Sequence, residues 1–450
     1  MRQQNRKVAF HLLPLFILSG FSGLIYQSIW SQYLGLFLGH SSHAQSLVLM
    51  LFMGGMAIGA WWASLRSIDL RWPLLAYAGI ELLIGLLGLA FDGIFQGVTG
   101  WAYGHLLPGL EGQGATLLRW LLATALVLPQ CILLGATFPL MSAGYLRVQP
   151  LAQGEVLAGL YFANSIGAAV GALASTYLLL PALGLPGTVM VAGGLNILVA
   201  ALVLPVARNG AHGAAERFTG ARPVNGPDTR STAVAVLCIA LLTGASSFVY
   251  EITWVRMLSL ALGTTLHSFE LMLAAFIAGI AFGGLWLRHR ADRLASPLRA
   301  AGWVQVLMGL AALGSMFVYA QAFEWVGWLM RVIVRSAEGY GLYSVASGAI
   351  AVAVMFPAAF FAGMTLPLLT LALLREGRGE KAIGQVYAFN TVGAIVGVLA
   401  AVHVLMPVLG LKYALLVAAV VDMGLGVRLL WGIGEGAVGR GAAGRRAWRP

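Results

Sequence analysis

The stretch Ser19-Gly20-Phe21-Ser22-Gly23-Leu24-Ile25-Tyr26-Gln27-Ser28-Ile29-Trp30 has a second version at Thr243-Gly244-Ala245-Ser246-Ser247-Phe248-Val249-Tyr250-Glu251-Ile252-Thr253-Trp254. Three more signatures recur in the same order. Phe52, Gly55, Gly59 and Trp62 return as Phe276, Gly279, Gly283 and Trp286. Gly135-Ala136-Thr137-Phe138-Pro139-Leu140 returns as Gly363-Met364-Thr365-Leu366-Pro367-Leu368, and Tyr161, Asn164, Gly167 and Gly171 return as Tyr387, Asn390, Gly393 and Gly397. The offset stays between 224 (Tyr26 to Tyr250) and 228 (Pro139 to Pro367), so one unit is duplicated. A duplicated unit of several membrane spans is how many transporters are built.

Composition places that unit in a bilayer. The chain is 60% apolar and 10% charged, with mean hydropathy +0.86, whereas soluble domains carry about 25% charged residues. A span needs roughly 20 apolar residues. Stretches of that kind begin near Val8, Ala44, Pro73, Thr116, Val156 and Gly187, and again near Ala233, Thr265, Pro297, Ser344, Ile383 and Tyr413. The expected fold is all-α, with about twelve transmembrane helices in two parallel six-helix repeats. Runs this long exclude the alternating strands of a β-barrel. Cys131 and Cys238 both fall inside spans, and nothing reads as a redox or metal site.

The net charge of +11 follows membrane topology rather than nucleic-acid binding. Arginine and lysine gather before span 1, after spans 2, 4, 8 and 10, in the central loop and at the C-terminus. The opposite loops hold few. The positive-inside rule therefore puts both termini and the central loop in the cytoplasm of an inner membrane. An even number of spans per repeat gives both halves one orientation, as in major-facilitator halves. The expected boundaries are 1–207 for the first repeat, 208–232 for a cytoplasmic linker, 233–432 for the second repeat and 433–450 for a disordered basic tail. Two longer outer loops, 92–115 and 321–343, are expected to form short interfacial helices around Trp101, Tyr103, Trp325 and Trp328.

Glycine pairs four apart, Gly55/Gly59, Gly167/Gly171, Gly279/Gly283 and Gly393/Gly397, let helices approach closely in lipid. In a major-facilitator arrangement their spans meet across the boundary between halves, so tight static packing and a sliding interface are both open readings. Pro129/Pro139 and Pro357/Pro367 predict kinked or broken fourth and tenth spans, with Thr137 and Thr365 placed to satisfy freed carbonyls. The choice there lies between a hinge lining the site and a structural kink.

Charges inside the membrane are few and informative. Arg256 and Glu270 flank Gly263 at matching depth and read as an ion pair or outer gate, with His267 one turn from Glu270. Glu251 has Gln27 as its counterpart, and Glu81 has Gln305. Each half thus holds one carboxylate and one amide. A hydrogen bond between first and third spans explains the exchange, and a counter-ion or proton carrier for a cationic substrate explains Glu251. Asn164 and Asn390 read as links between helices, and Asp422 and His403 receive no role. Phosphate loops, zinc motifs and serine elbows are missing.

The motifs S-G-F-S-G-L-I-Y-Q-S-I-W, F-M-G-G-M-A-I-G, G-A-T-F-P-L and G-L-Y-F-A-N-S-I-G-A-A-V-G resemble the membrane domain of the spermidine-synthase-like membrane proteins, the major-facilitator/spermidine-synthase fusions. The resemblance runs from about Leu12 to Leu430. In that family a soluble aminopropyltransferase-type domain commonly follows, with a Gly-Gly-Gly-Asp-Gly-type loop and acidic polyamine ligands. These 450 residues contain neither, so no catalytic residue, cofactor or metal is expected. The resemblance implies a transporter for a small, polyamine-like cation, its cavity lined by spans 1, 4, 7 and 10. The residues expected nearest the substrate are Glu251, Gln27, Tyr26, Tyr250, Trp30, Trp254, Thr137 and Thr365. The alternative is a non-transporting module that anchors or feeds a separate soluble aminopropyltransferase-type enzyme.

Overall fold

The computed structural model describes residues 2–39, 42–67, 69–214, 227–334 and 336–444, with side chains over 12–39, 48–67, 69–208, 232–334, 336 and 339–431. Twelve α-helices account for nearly all of it: α1 (Arg2–Leu38), α2 (Ser42–Arg66), α3 (Pro73–Trp101), α4 (Gln113–Val148), α5 (Gln153–Ala174), α6 (Leu180–Ala214), α7 (Pro227–Leu262), α8 (Leu266–Arg288), α9 (Pro297–Val332), α10 (Ala337–Arg375), α11 (Lys381–Ala400) and α12 (Met406–Gly444). No strand occurs among the described residues. Ten helical stretches are long and apolar enough to cross a membrane, and two of these, of 56 and 51 residues, are twice the needed length. Glycines in the left-handed region, Gly184 (φ 65°) and Gly410 (φ 81°), turn the chain inside each. The result is twelve crossings.

The duplication extends to details that no motif revealed. A π-helical turn precedes each of those glycine turns, at Ser175–Leu179 and Ala401–Leu405. Gly39 and Gly263 end α1 and α7 with positive φ. Helix starts are conventional: Pro73 and Pro297 occupy the first turn of α3 and α9, and Thr265, Ser296 and Ser336 cap α8, α9 and α10.

Inside the first half, α1 packs on α5 and α6, α2 on α4, and α3 on α6 and α4. The second half repeats this with α7 on α11 and α12, α8 on α10, and α9 on α12 and α10. Between halves, α5 packs on α8 and α2 on α11, two contacts that a pseudo-dyad exchanges. The paired glycines belong to the first set. Gly59 lies against the Ile132 carbonyl of α4, Gly167 against Ile17 of α1, Gly283 against Phe360 of α10 and Gly393 against Leu241 of α7. Gly55, Gly171, Gly279 and Gly397 repeat those four contacts one turn along. Their spans do meet across the boundary, but these glycines contact helices of their own half, which favours tight static packing over a sliding interface. Other glycines do lie at the boundary, among them Gly284 against α5, Gly384 against Ala60 and Ser64 of α2, and Gly154 against Ala291.

Three further expectations change. The proline-bearing helices α4 and α10 are unbroken, without the non-helical residues that mark α6 and α12. Pro139 and Pro367 free the carbonyls of Gly135 and Gly363, yet Thr137 donates to Leu134 (2.7 Å) and Thr365 to Phe361 (3.5 Å). Both threonines are buried against their own helices. The outer loops are largely extensions of the spans: α3 runs to Trp101 and passes into a π-helical turn, Ala102–Leu106, and a short 3-10 helix, Leu107–Gly109, while α9 runs on to Val332. Of the linker, 215–226 lies outside the described residues. The stretch expected as a tail continues α12 to Gly444, no proline interrupting it, and 445–450 lies outside the described residues.

The apolar cores locate the site. At the end carrying both termini, one continuous core draws on both halves, from Leu12, Phe16 and Leu157 to Leu366, Leu369 and Ile383. At the opposite end there are two cores. One belongs to the first half, around Trp30, Phe91 and Val127, joined from the other half by Ala394; the other belongs to the second half, around Trp254, Met308 and Met355. The apolar core is thus continuous between the halves at the termini end and divided at the far end, where single polar and ring contacts, Ser28 to Glu270 and Tyr177 to His267, join them.

Candidate functional site

The seal has a polar rim and an apolar plug. Arg147, at the end of α4, uses all its guanidinium nitrogens. Nε and Nη2 donate to Glu380, just before α11, at 2.7 Å each; Nη2 also reaches the Ser67 carbonyl (2.8 Å), and Nη1 reaches those of Leu70 (2.7 Å) and Arg71 (3.3 Å). The pair joins the halves, with side chains 11% and 4% exposed. Arg375, the counterpart of Arg147, holds the carbonyls of Leu294, Ala291 and Asp292 in the equivalent loop. That frees the Asp292 carboxylate to accept from the backbone N–H groups of Gly154 (2.7 Å) and Glu155 (2.9 Å), where the positive end of α5 favours an anion. Arg288 reaches Glu155 at 3.3 Å. Beneath this rim, Phe138 stacks on Tyr387 with ring centroids 5.3 Å apart. A small cavity there is lined by three pseudo-dyad pairs, Phe138/Leu366, Leu157/Ile383 and Tyr161/Tyr387, so the plug sits on the axis itself.

On the far side of the plug, α1 and α7 provide the candidate binding groups. Ser28 of α1 donates to Glu270 of α8 at 2.6 Å, so this side of α1 faces the second half. Gln27 is next to it, half-buried and without a hydrogen-bond partner, as is its counterpart Glu251 on α7. Asn164 and Asn390 are also half-buried and unpartnered through their side chains, while their backbone carbonyls abut Gly20 and Gly244. Expected as links between helices, they supply amides to the same region instead. Two turns of helix, about 10 Å, separate Gly244 from Glu251.

Four residues expected in this region lie elsewhere. Tyr26 and Trp30 stack at 4.9 Å inside the first half, and Tyr250 and Trp254 at 5.3 Å inside the second. All four are almost fully buried. Tyr26 points at Gly88 of α3, and the Trp254 Nε1–H donates to Ser315 of α9 at 2.9 Å. Successive helical residues point about 100° apart, so Tyr26 enters the core while Gln27 does not.

The expected Arg256–Glu270 ion pair is absent. Arg256 is exposed, and Glu270 is buried and takes the Ser28 hydroxyl instead. His267 stacks edge-on against Tyr177 of the first half and Tyr340 rather than joining Glu270. Glu81 and Gln305 also part from expectation. Neither meets Gln27 or Glu251; the link between first and third helices runs through Ser19, which donates to Glu81 at 2.6 Å, and Thr243, which accepts from Gln305 at 2.8 Å. Each forms part of a fully buried polar cluster completed by the sixth helix of its half. In the first half Asn196 donates to Glu81. In the second Asp422 accepts from Ser246 at 2.5 Å. Asp422 was assigned no role from sequence. Its counterpart Asn196 lies 226 residues earlier, and that pairing was the signal available. No group of three or more His, Cys, Asp or Glu able to hold a metal occurs among the described residues.

No family model matches the chain. Among curated proteins it is 30% identical over 185 residues to a polyamine aminopropyltransferase of Corynebacterium efficiens, covering 40% of this chain and 32% of that one. It is 31% identical over 188 residues to polyamine aminopropyltransferase 2 of Streptomyces coelicolor, with shares of 41% and 32%. The chain spans about a third of the length of these relatives. Among solved structures, the human organic anion transporter MFSD10 (TETRAN) aligns with TM-score 0.55 over 94% of this chain and 99% of its own, at 14% identity. The proton:xylose symporter XylE gives 0.58 over 94% and 95%, at 12% identity. FucP in its outward conformation gives 0.57 over 93% and 97%, also at 12%. At such identities the likeness shows the fold alone, which is major-facilitator-like.

Proposed function

We propose that this protein is a membrane transporter of a small, polyamine-like cation, working by the rocking of two six-helix halves about the pseudo-dyad. The observation that carries the reading is the division of the core, single at the termini end and double at the far end. Such a molecule has one closed and one separable end, and the contacts closing it are ion pairs and an aromatic stack. The arginine pattern supports a cytoplasmic, inner-membrane side for the closed end, and on that reading this state faces outward. Glu251, unpartnered on α7, is the counter-ion for the cargo, and Gln27, Asn164 and Asn390 supply neutral hydrogen bonds. A carboxylate left unpaired in a bilayer is costly and therefore informative. The cationic cargo is also supported by the names of the aminopropyltransferase relatives.

Proteoliposomes test this directly. Radiolabelled spermidine should accumulate with the parent protein, and uptake should fall at least tenfold with Glu251→Gln. Equal counts in empty and loaded vesicles would remove the cargo assignment. The same relatives favour a second reading, in which this chain anchors or feeds a soluble aminopropyltransferase-type enzyme and performs no catalysis itself. Co-purification of that enzyme, with no uptake of spermidine, would establish it.

A further inference from the structure

A cavity at the far end lies apart from the groups around Glu251. Its volume is about 40 Å³, and it is lined from the α7–α8 turn by Leu262, Thr265 and His267 and from the start of α10 by Tyr340, Ser344 and Ser347. A water occupies about 30 Å³ in the liquid, so the space admits one group the size of a water or an ammonium head. Thr265 and Tyr340 are exposed at its mouth, while Ser344 and Ser347 are buried at its floor. The Leu262 carbonyl, at the negative end of the α7 dipole, accepts only long bonds, from Ser268 (3.3 Å) and the Tyr343 hydroxyl (3.5 Å). Ser347 Oγ is 1% exposed and has no partner at all. No lysine or arginine lines the space.

The duplication says what is missing there. Pro129 and Gly135 of α4 recur as Pro357 and Gly363 of α10, an offset of 228 along unbroken helices, so Ser347 is the counterpart of Arg119. The first half thus carries its own cation at this position, held 5.7 Å over the Tyr103 ring. The second half has a short hydroxyl and a void. Acidic charge is distributed the opposite way. Glu270, one turn along α8 from His267, is buried with Oε2 unpartnered, and its first-half counterpart is Ser46. No ion pair to Glu270 occurs among the described residues. The half that lacks the fixed cation is therefore the half that carries the carboxylate. His267 and Tyr340, nearly perpendicular with ring centroids 6.0 Å apart, add aromatic walls of the kind that attract a cation.

We propose that this cavity is an outer subsite for the primary ammonium group of an amine, which donates to Ser347, Ser344 and the Leu262 carbonyl while Glu270 supplies the opposing charge. An alkylammonium brings three donors and no acceptor, and the lining offers acceptors that are unpaired or weakly engaged. Tyr177 of the first half closes on His267 with ring centroids 4.7 Å apart, so the subsite borders the seam between halves. Its place on the path to Glu251 rests on the transport reading above; binding of the ammonium group does not.

Thiol labelling of the full-length protein, with Cys131 and Cys238 replaced, tests the subsite without any cargo. Tyr340→Cys places a thiol at the mouth. There, 2-aminoethyl methanethiosulfonate, which carries an ethylammonium, should outpace neutral methyl methanethiosulfonate at least fivefold more than it does on a small neutral thiol in solution. Adding Ser347→Val, which fills the cavity at unchanged charge, should return that preference to the solution value. Ser344→Ala, a milder change, should at least halve it and keeps the test usable should Ser347→Val fail to fold. A solution-like preference in the Tyr340→Cys protein itself would overturn the subsite. So would a preference kept in both serine variants, which would leave only the field of Glu270. The path is read with spermidine as probe: Ser347→Val alone should raise the half-saturating concentration for uptake at least fivefold with the maximal rate retained. An unaltered value would remove the subsite from the path. Absence of spermidine movement in the parent would sink the cargo reading, and the labelling would still decide the subsite.

Discussion

Tyr26 and Gln27 are neighbours on α1 with different fates, one stacked on Trp30 in the core and the other unpartnered on the side that meets the second half. The repeat made both conspicuous, because recurrence marks packing as readily as function. Periodicity along one helix cannot say which of two adjacent residues faces the partner half. Glu251 was legible because a carboxylate is rare in a span. Asp422 was not, because the recurring motifs lie in the first five spans of each half and its cluster is closed by the sixth. If Trp254 is core, Trp254→Phe should lose the bond to Ser315 and about 1 kcal/mol of stability, seen as a lower thermal midpoint in detergent with spermidine uptake retained. Loss of uptake at unchanged midpoint would return Trp254 to the binding site.

At the level of helices, the glycine pairs and prolines were located correctly by sequence, but their partners depend on tertiary packing that a helix face alone does not name. Gly59, Gly167, Gly283 and Gly393 hold helices inside a half, whereas Gly384 lies between halves. Their substitutions should differ in kind. Gly283→Val pushes α8 from α10 and should cost about 1–3 kcal/mol or more, read as lost monodisperse protein in size-exclusion chromatography. Gly384→Val meets α2 of the other half and should leave each half folded while opening the termini end. The opening is read by alkylation of a cysteine placed at Tyr161. Pro139→Ala should be tolerated, since α4 is already continuous and the new N–H can meet the Gly135 carbonyl. A sharp loss of uptake with intact stability would show that Pro139 acts as a hinge.

For the molecule as a whole, the duplication and the span count were readable from sequence, and the fold of twelve helices in two parallel halves follows from them. Which end is closed was not readable, because it depends on side chains brought together from both halves. Arg147 and Glu380 are 233 residues apart and carry no common motif. Removing one member of a buried pair leaves the other uncompensated at about 3–5 kcal/mol, so Arg147→Ala should favour the state opened at the termini end. The rocking of two halves is tested most directly by paired spin labels in a background with Cys131 and Cys238 replaced. One pair is placed at the exposed positions Leu36 and Leu260 of the far end, the other at the exposed positions Asp69 and Arg293 of the termini end. On introducing Arg147→Ala, the Asp69–Arg293 distance should lengthen as the Leu36–Leu260 distance shortens. Two distances that stay fixed, or that lengthen together, would contradict alternating access.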